Sequence, residues 1–234
     1  MKKLVSLLLA ATLLLTLAAC GTSNSDPTTT AAAAPLQSDA APGEQTGTQP
    51  VSAVNADGQK MLVLYFSAAN TTSADVVSSA TPQVDNSGAT AYLAQYIHEK
   101  VGGDMAAITS AQDYPTDYNG AVDKAKQERD NDERPAFQPL SVNPEDYDVI
   151  FIGYPIWWYT LPMVLYTFFD TYDLAGKTIV PFNTHAGSGD GGTYDEIAGF
   201  EPDATVLDGL ALSGSSVGES SAQQIDTWLS SLAF

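Results

Sequence analysis

Apolar and polar positions alternate regularly over residues 60–234, and this pattern predicts a mixed α/β fold. Five segments have the apolar character of strands in a buried sheet: 61–66, 104–109, 148–153, 177–182 and 206–212. Four segments have the spacing or composition of helices: 89–101, 119–129, 161–172 and 220–232. The second of these helices is polar and expected on the surface, and Pro162 falls in the first turn of the third, where proline is tolerated. Strands and helices in this alternation predict a parallel sheet with helices on both faces, a three-layer α/β/α sandwich.

Residues 1–59 lack this alternation and divide into a leader and a linker. Residues 1–19 combine two lysines, an apolar run and small residues before Cys20, which indicates a secretory signal peptide. A membrane anchor is less favoured because the apolar run is short for a span. Residues 20–59 are rich in Thr, Ser, Ala, Pro and Gly and contain no aromatic residue, which predicts a flexible linker to a folded domain at 60–234.

The end of the leader, Leu17-Ala18-Ala19-Cys20, resembles the lipobox of bacterial lipoproteins. The resemblance implies cleavage before Cys20 and lipidation of its thiol and its new amino group. It therefore implies export, with the protein anchored by lipid to the bacterial cell membrane and its folded domain on the extracytoplasmic side.

Charge and cysteine content narrow the class of protein. The 234 residues include 9 Lys and Arg against 28 Asp and Glu, a formal net charge of −19. Nucleic acid is not an expected partner, because binding phosphates requires clustered basic residues. One cysteine excludes an intrachain disulfide and a protein-ligated iron–sulfur cluster, and two histidines leave little room for a metal site, so no metal is predicted.

The loops that follow the strands carry the candidate chemistry, because ligands of parallel sheets bind at the carboxyl ends of strands. The small hydroxyl residues of 67–72 suit a phosphate, which backbone N–H groups and hydroxyls can bind without lysine. Since residues 73–87 intervene before the first helix, a composite site is expected, with Ser67 at the strand end and Ala89 and Thr90 at the helix start. The alternative is an ordinary polar surface loop.

The next two loops have features of a site for a flat ligand. Trp157 and Trp158 in loop 154–162 either stack on a planar aromatic ligand or fill the core. The glycines of 183–192 let the backbone approach a ligand closely. His185 in that loop either contacts a ligand or donates a proton to it, or is a capped loop histidine with local hydrogen bonds.

Three motifs together, YFSAANT, GYPIWWYTLP and FNTHAGSG, resemble the flavodoxin-like proteins that bind flavin mononucleotide (FMN). The resemblance covers residues 60–232, and residues 114–118 resemble the long-insert group found in lipoproteins. It implies a five-stranded parallel sheet of order 2-1-3-4-5, with the phosphate at the first loop and the isoalloxazine between the other two. The implied FMN contacts are Ser67, Ala68, Ala69, Asn70, Ala89, Thr90, Pro155, Ile156, Trp157, Trp158, Tyr159, Thr184, His185, Ala186, Gly187 and Gly189. Two departures are the insertion at 73–87, which splits the phosphate signature, and a third loop without the aromatic residue that covers the second flavin face.

Three functions follow from this resemblance. The favoured one is a membrane-tethered electron carrier that serves a redox partner protein. The acidic rim of the carrier would attract basic partner proteins. The second is an FMN-dependent reductase of quinones or other small acceptors, with His185 or Tyr154 as proton donor. The third is a binding lipoprotein that keeps the fold without flavin.

Overall fold

A parallel sheet organises the part of the chain that the structure describes, residues 58–67, 88–115 and 117–233 of this computed structural model. The strands are β1 Met61–Phe66, β2 Asp104–Ile108, β3 Val149–Pro155, β4 Thr178–His185, β5 Thr205–Val206 and β6 Leu210–Ser213. They follow the order β2-β1-β3-β4-β5, and β6 also pairs with β4. All pairings are parallel, so the predicted order 2-1-3-4-5 is confirmed.

The fifth position of the sheet holds two short strands where the sequence predicted one. The carbonyls of Lys177 and Ile179 accept hydrogen bonds from this neighbour, so the alternate residue Pro181 faces it too. Proline has no N–H to donate, and the ladder is interrupted there. A Cβ at Gly209, between the two strands, would lie 2.7 Å from the Pro181 carbonyl oxygen and closer still to the Tyr194 ring. Only glycine therefore fits where the chain passes this break.

Five α-helices accompany the strands in the described residues: α1 Ala89–Val101, α2 Tyr118–Asp130, α3 Met163–Thr171, α4 Thr193–Phe200 and α5 Ala222–Ser231. The prediction for α3 was wrong in one detail, because Pro162 is its N-cap residue and lies outside the first turn. Helix α2 is also less superficial than its polar composition indicates, because Ala121, Ala125 and Glu128 are buried. Helix α4 was not predicted, although the acidic residues of its first turn are a recognisable start signal.

Apolar side chains cover both faces of the sheet, as the continuous apolar runs predicted. Leu62, Leu64 and Phe66 of β1 share one cluster with residues of α2, α3 and α4. Met61 and Val63 belong to the opposite cluster, with residues of α1 and α5. Each fully buried side chain of this size contributes about 1.5–3 kcal/mol to folding. The three-layer sandwich is therefore confirmed, and its core holds the carboxyl ends of β1, β3 and β4 in place.

Strands β3 and β4 extend further than predicted. Tyr154 and Pro155 belong to β3, and residues 183–185 belong to β4. The loops that carry candidate ligand contacts therefore begin at Ile156 and Ala186.

Some predictions lie outside the described residues and stay predictions. They concern the signal peptide at 1–19, Cys20 and nearly all of the linker at 20–59, the contacts Ala68, Ala69 and Asn70, and the insertion at 73–87. Within the described ranges, no helix has the length and apolar character needed to cross a membrane.

Candidate functional site

A pocket of about 360 Å³ lies at the carboxyl edge of the sheet, between the segments that follow β3 and β4. Helix α2 forms its third wall. The lining residues are Tyr118, Val122, Ile156, Trp158, Tyr159, Ala186, Gly187 and Ser188. Three large apolar side chains are exposed in the described part of the chain, Tyr118 at 56%, Trp158 at 37% and Tyr159 at 74%, and all three line this pocket. This concentration of exposed aromatic surface makes the pocket the candidate binding site.

The first wall is a tight turn, residues 157–160, which we call the aromatic turn. The Trp157 N–H donates to the Thr160 carbonyl at 3.0 Å, and the Thr160 N–H donates back at 3.1 Å. The two central residues are left-handed, with φ 52° at Trp158 and 65° at Tyr159. Glycine or asparagine usually occupies such positions, and another residue costs about 1–2 kcal/mol there. The surrounding contacts must therefore hold this turn in place.

The two tryptophans have different roles. Trp157 is only 3% exposed and packs edge-on against Phe66 and Tyr114, with ring centroids 5.2 and 5.0 Å away. The core interpretation is therefore correct for Trp157, whereas Trp158 lies in the pocket wall. Among the described residues, the buried indole N–H of Trp157 nevertheless has no hydrogen-bond acceptor. A buried donor of this kind calls for an explanation, and an acceptor atom on a bound ligand is one.

Trp158 is held by α2. Its indole N–H donates to the Val122 carbonyl at 3.1 Å. The guanidinium of Arg129 lies over the indole ring, 5.2 Å from its centroid, and also donates to the Trp158 carbonyl at 3.4 Å. These contacts fix the plane of the indole, which is the property that a stacking surface needs.

The second wall is residues 186–192, which we call the glycine loop. Its four glycines, Gly187, Gly189, Gly191 and Gly192, all have positive φ, between 64° and 109°. A Cβ added at Gly187 or Gly189 would meet no atom within 4 Å, so open space adjoins the backbone there. A Cβ at Gly191 would lie 3.0 Å from the Tyr159 carbonyl oxygen, so the two walls meet at this glycine.

Asn183 supports the glycine loop from the sheet. Its side-chain amide donates to the Gly189 carbonyl at 3.1 Å and accepts from the Tyr194 hydroxyl at 2.6 Å. Sequence reasoning did not single out either residue. The polar Asn183 within a strand that is otherwise buried was the available signal.

Neither predicted proton donor lines the pocket. His185 ends β4 and its Nδ1 accepts from the Gly187 N–H at 2.9 Å, while burial lowers its pKa. This arrangement matches the alternative of a loop histidine with local hydrogen bonds. Tyr154 is fully buried, its hydroxyl lies 2.8 Å from the Thr193 hydroxyl, and burial raises its pKa. The role of Tyr154 as a proton donor to a ligand is therefore corrected to a structural one.

The predicted phosphate residues lie at the same edge of the sheet. Ser67 directly follows β1, and Ala89 and Thr90 begin α1; all three are buried. The Thr90 hydroxyl lies 2.7 Å from that of Thr184, so the structure brings the start of α1 next to the end of β4. The N-cap of α1 is Gly88, which leaves the partial positive charge of the helix N-terminus without a side-chain cap.

Comparison with known proteins agrees with this architecture. The sequence profile described as Flavodoxin matches residues 79–232. This chain belongs to the flavodoxin family. A search of curated proteins gives no match.

Solved structures support the same family. The "putative flavoprotein" of Bacteroides eggerthii DSM 20697 is 33% identical over 75% of this chain and 99% of its own, with a TM-score of 0.58. The protein of the same description from Bacteroides uniformis ATCC 8492 is 28% identical over 74% and 98%, with a TM-score of 0.57. A flavoprotein of Lactobacillus acidophilus NCFM, 21% identical over 68% and 96%, shares the fold with a TM-score of 0.51.

Charged groups are sparse in the pocket of this flavodoxin-family chain. Within the described ranges, no lysine, arginine, aspartate or glutamate lines it. The described residues also contain no cluster of three or more histidine, cysteine or acidic side chains suited to a metal ion. The chemistry that the pocket offers is therefore aromatic surface, hydroxyl groups and exposed backbone.

Proposed function

We propose that this protein binds FMN and transfers electrons between redox partners. The observation that carries the proposal is the pocket itself, in which all three exposed large apolar residues of the described chain face a loop of glycines. The structure of the Lactobacillus flavoprotein, which has the same fold, is of a complex with FMN.

The two walls fit a flat, three-ring heterocycle. Trp158 offers an indole whose plane α2 holds in place, and planar ligands stack on such a surface. The glycine loop offers backbone N–H and C=O groups, and open space beside Gly187 leaves room for the polar edge of a ring. A ligand that presents an apolar face and a polar edge uses both walls.

The predicted phosphate residues fit a monophosphate. The start of α1 and the hydroxyls of Ser67 and Thr90 supply donors and a positive partial charge without a lysine. The indole ring of Trp157 packs against Phe66, the residue before Ser67, and a ligand oxygen near this ring would satisfy its buried N–H.

FMN would supply the acceptance and release of electrons, and the chain would set how readily this happens. The formal net charge of −19 disfavours added negative charge in the pocket, which holds the reduction potential low. The same charge would attract basic partner proteins at rates that fall with salt.

The carrier is favoured over a reductase on two observations. Neither His185 nor Tyr154 lines the pocket, so the two candidate proton donors do not face a ligand there. The lining residues in the described part of the chain also include no cation for the phosphates of a nicotinamide dinucleotide.

Flavin titration of the full-length chain tests the proposal. We expect FMN to bind stoichiometrically, with quenched flavin fluorescence and a shifted visible spectrum. Trp158→Ala should weaken binding, whereas the matched control Trp228→Phe, which removes a tryptophan on the other face of the sheet, should not. A wild-type chain that neither retains FMN nor responds to it would leave a flavodoxin-fold binding protein without flavin.

Electron transfer is tested on the reduced holoprotein. We expect its oxidation by a basic protein acceptor such as a c-type cytochrome to slow at least several-fold as ionic strength rises. Rapid turnover of a quinone with a reduced donor, without this salt dependence, would instead support the reductase.

We propose further that the chain is exported and anchored by lipid on Cys20, as the lipobox-like sequence at 17–20 indicates. In a bacterial host, labelled fatty acid should be incorporated into the wild type and not into Cys20→Ala. An unlabelled wild-type chain in the soluble cytoplasmic fraction would refute the anchor.

A further inference from the structure

Thr160, the last residue of the aromatic turn, forms hydrogen bonds with side chains that lie outside the pocket. Thr160 closes the turn through its backbone, and its hydroxyl donates to Oε2 of Glu196 at 2.8 Å. The Tyr166 hydroxyl donates to the other carboxylate oxygen, Oε1. The two hydroxyls lie 2.8 Å apart. We call Thr160, Tyr166 and Glu196 the Glu196 network.

The members of the Glu196 network come from three different elements. Thr160 follows β3, Tyr166 lies in α3 and Glu196 lies in the first turn of α4, where a carboxylate is favoured by the helix dipole. All three are half-buried, and none lines the pocket. Hydrogen bonds to an ionised carboxylate are stronger than neutral ones, so this network is a firm attachment for a turn with unfavourable backbone angles.

Helix α4 also connects the two walls of the pocket. It begins directly after Gly192, at the end of the glycine loop, and Gly191 lies against the Tyr159 carbonyl. A carboxylate on α4 that binds Thr160 therefore fixes the aromatic turn relative to the glycine loop. The contacts of Trp158 with Val122 and Arg129 fix the same turn relative to α2.

We propose that Glu196 is a positioning residue: through Thr160 and Tyr166 it holds the aromatic turn in its left-handed conformation and thereby sets the orientation of Trp158 in the pocket. The effect on a bound flavin rests on the proposed function. The effect on Trp158 itself does not, because the contacts concerned belong to the protein alone.

The test compares Glu196→Ala with Asp195→Ala in the full-length chain. Asp195 is the exposed neighbour in the same helical turn, so both variants remove one negative charge from α4. The ligand-free readout is hydrogen exchange of the Trp158 indole N–H, with its resonance assigned from Trp158→Phe. We expect exchange about tenfold faster in Glu196→Ala and unchanged in Asp195→Ala, with partial rescue in Glu196→Gln, which keeps an acceptor oxygen.

Thr160→Val is the second variant, because it removes the hydroxyl with little change in shape. It should reproduce the faster indole exchange, while far-UV circular dichroism shows that both variants remain folded. If Glu196→Ala and Thr160→Val exchange at the rate of Asp195→Ala, the positioning role is overturned.

The FMN readouts are the dissociation constant and the midpoint potential. Both should change in Glu196→Ala and stay near wild type in Asp195→Ala. Faster indole exchange together with a wild-type chain that does not bind FMN supports the positioning role and refutes the proposed function. Faster exchange with unchanged affinity and potential overturns the claim that Glu196 sets the orientation of Trp158 toward the ligand.

Discussion

The two walls of the pocket reach left-handed backbone angles by opposite means. In the glycine loop every residue with positive φ is a glycine, which adopts such angles without steric cost. In the aromatic turn the same region of φ is occupied by Trp158 and Tyr159, two of the three exposed aromatic residues that line the pocket. The glycine loop offers backbone to a ligand, whereas the aromatic turn offers side chains.

The difference shows where each wall obtains its stability. The glycine loop is held to β4 by the side-chain amide of Asn183 and by the imidazole of His185. The aromatic turn depends on its surroundings: Trp157 packs in the core beneath it, Arg129 and Val122 hold Trp158, and Glu196 binds Thr160. Strain retained in aromatic residues of the pocket wall supports the proposal that their side chains contact a ligand.

The largest expected effect is on the buried base of the aromatic turn. Trp157→Ala should lower the free energy of unfolding by about 4 kcal/mol, because it leaves a cavity among Phe66 and Tyr114. Denaturant unfolding measures this loss. Trp157→Phe should cost far less stability yet weaken FMN binding, if the buried N–H serves the ligand. A small loss in Trp157→Ala would contradict the core assignment.

The exposed tryptophan should affect affinity more than stability. Trp158→Ala removes a stacking surface worth about 2 kcal/mol, which corresponds to roughly a thirtyfold rise in the FMN dissociation constant. Trp158→Phe keeps a ring and should lose less. Fluorescence titration gives both constants, and equal affinity in all three proteins would mean that the aromatic turn is not a stacking wall.

The meeting point of the two walls is tested at Gly191. Gly191→Ala should lower the free energy of unfolding by about 2 kcal/mol, because a Cβ adds crowding against the Tyr159 carbonyl to the cost of positive φ. Gly189→Ala is the matched control, since it has the same φ cost and open space around the Cβ, and should lose about 1 kcal/mol. Equal losses of stability in the two variants would show that the glycine loop does not pack against the aromatic turn at Gly191.

Relief of backbone strain should stabilise the protein at the expense of the site. Tyr159→Gly should be more stable than Tyr159→Ala by about 1 kcal/mol, because both lose the exposed ring and only alanine keeps the cost of positive φ. Thermal unfolding compares the two. Both should bind FMN more weakly than the wild type, and a glycine variant less stable than the alanine variant would show that the turn is not strained.

The smallest effect concerns pH and the glycine loop. Burial holds the pKa of His185 below its ordinary value of 6.5, so the unfolded chain binds this proton more readily than the folded one. Stability from this group should therefore fall as pH drops below about 6.5 toward the folded-state pKa. His185→Asn keeps an acceptor for the Gly187 N–H and should lack this pH-dependent loss. If the free energy of unfolding of the wild type and of His185→Asn changes by the same amount between pH 5 and 8, this prediction is contradicted.

Much of this architecture could be predicted because local patterns carry it. The apolar runs of β1 and β3 predicted strands buried on both faces, since a sheet covered by helices leaves no face for polar residues. The start of α1 at Ala89, directly after Gly88, followed from helix signals, and the position of the pocket after β3 and β4 followed from the geometry of parallel sheets. Helix α4 was not predicted because its eight residues are too few to show a clear helical period of apolar positions.

Residue types and their order along the chain were enough to place aromatic side chains and glycines at one edge of a flavodoxin-family sheet. They did not distinguish Trp157 from Trp158, because neighbours in a turn point in directions that depend on φ and ψ. The burial of Tyr154, the break opposite Pro181 and the partnership of Thr160 with Glu196 depend equally on distant neighbours. Contacts between residues far apart in the chain decide whether a side chain lies in the core, lines the pocket or supports the pocket walls. Local sequence patterns do not contain this information.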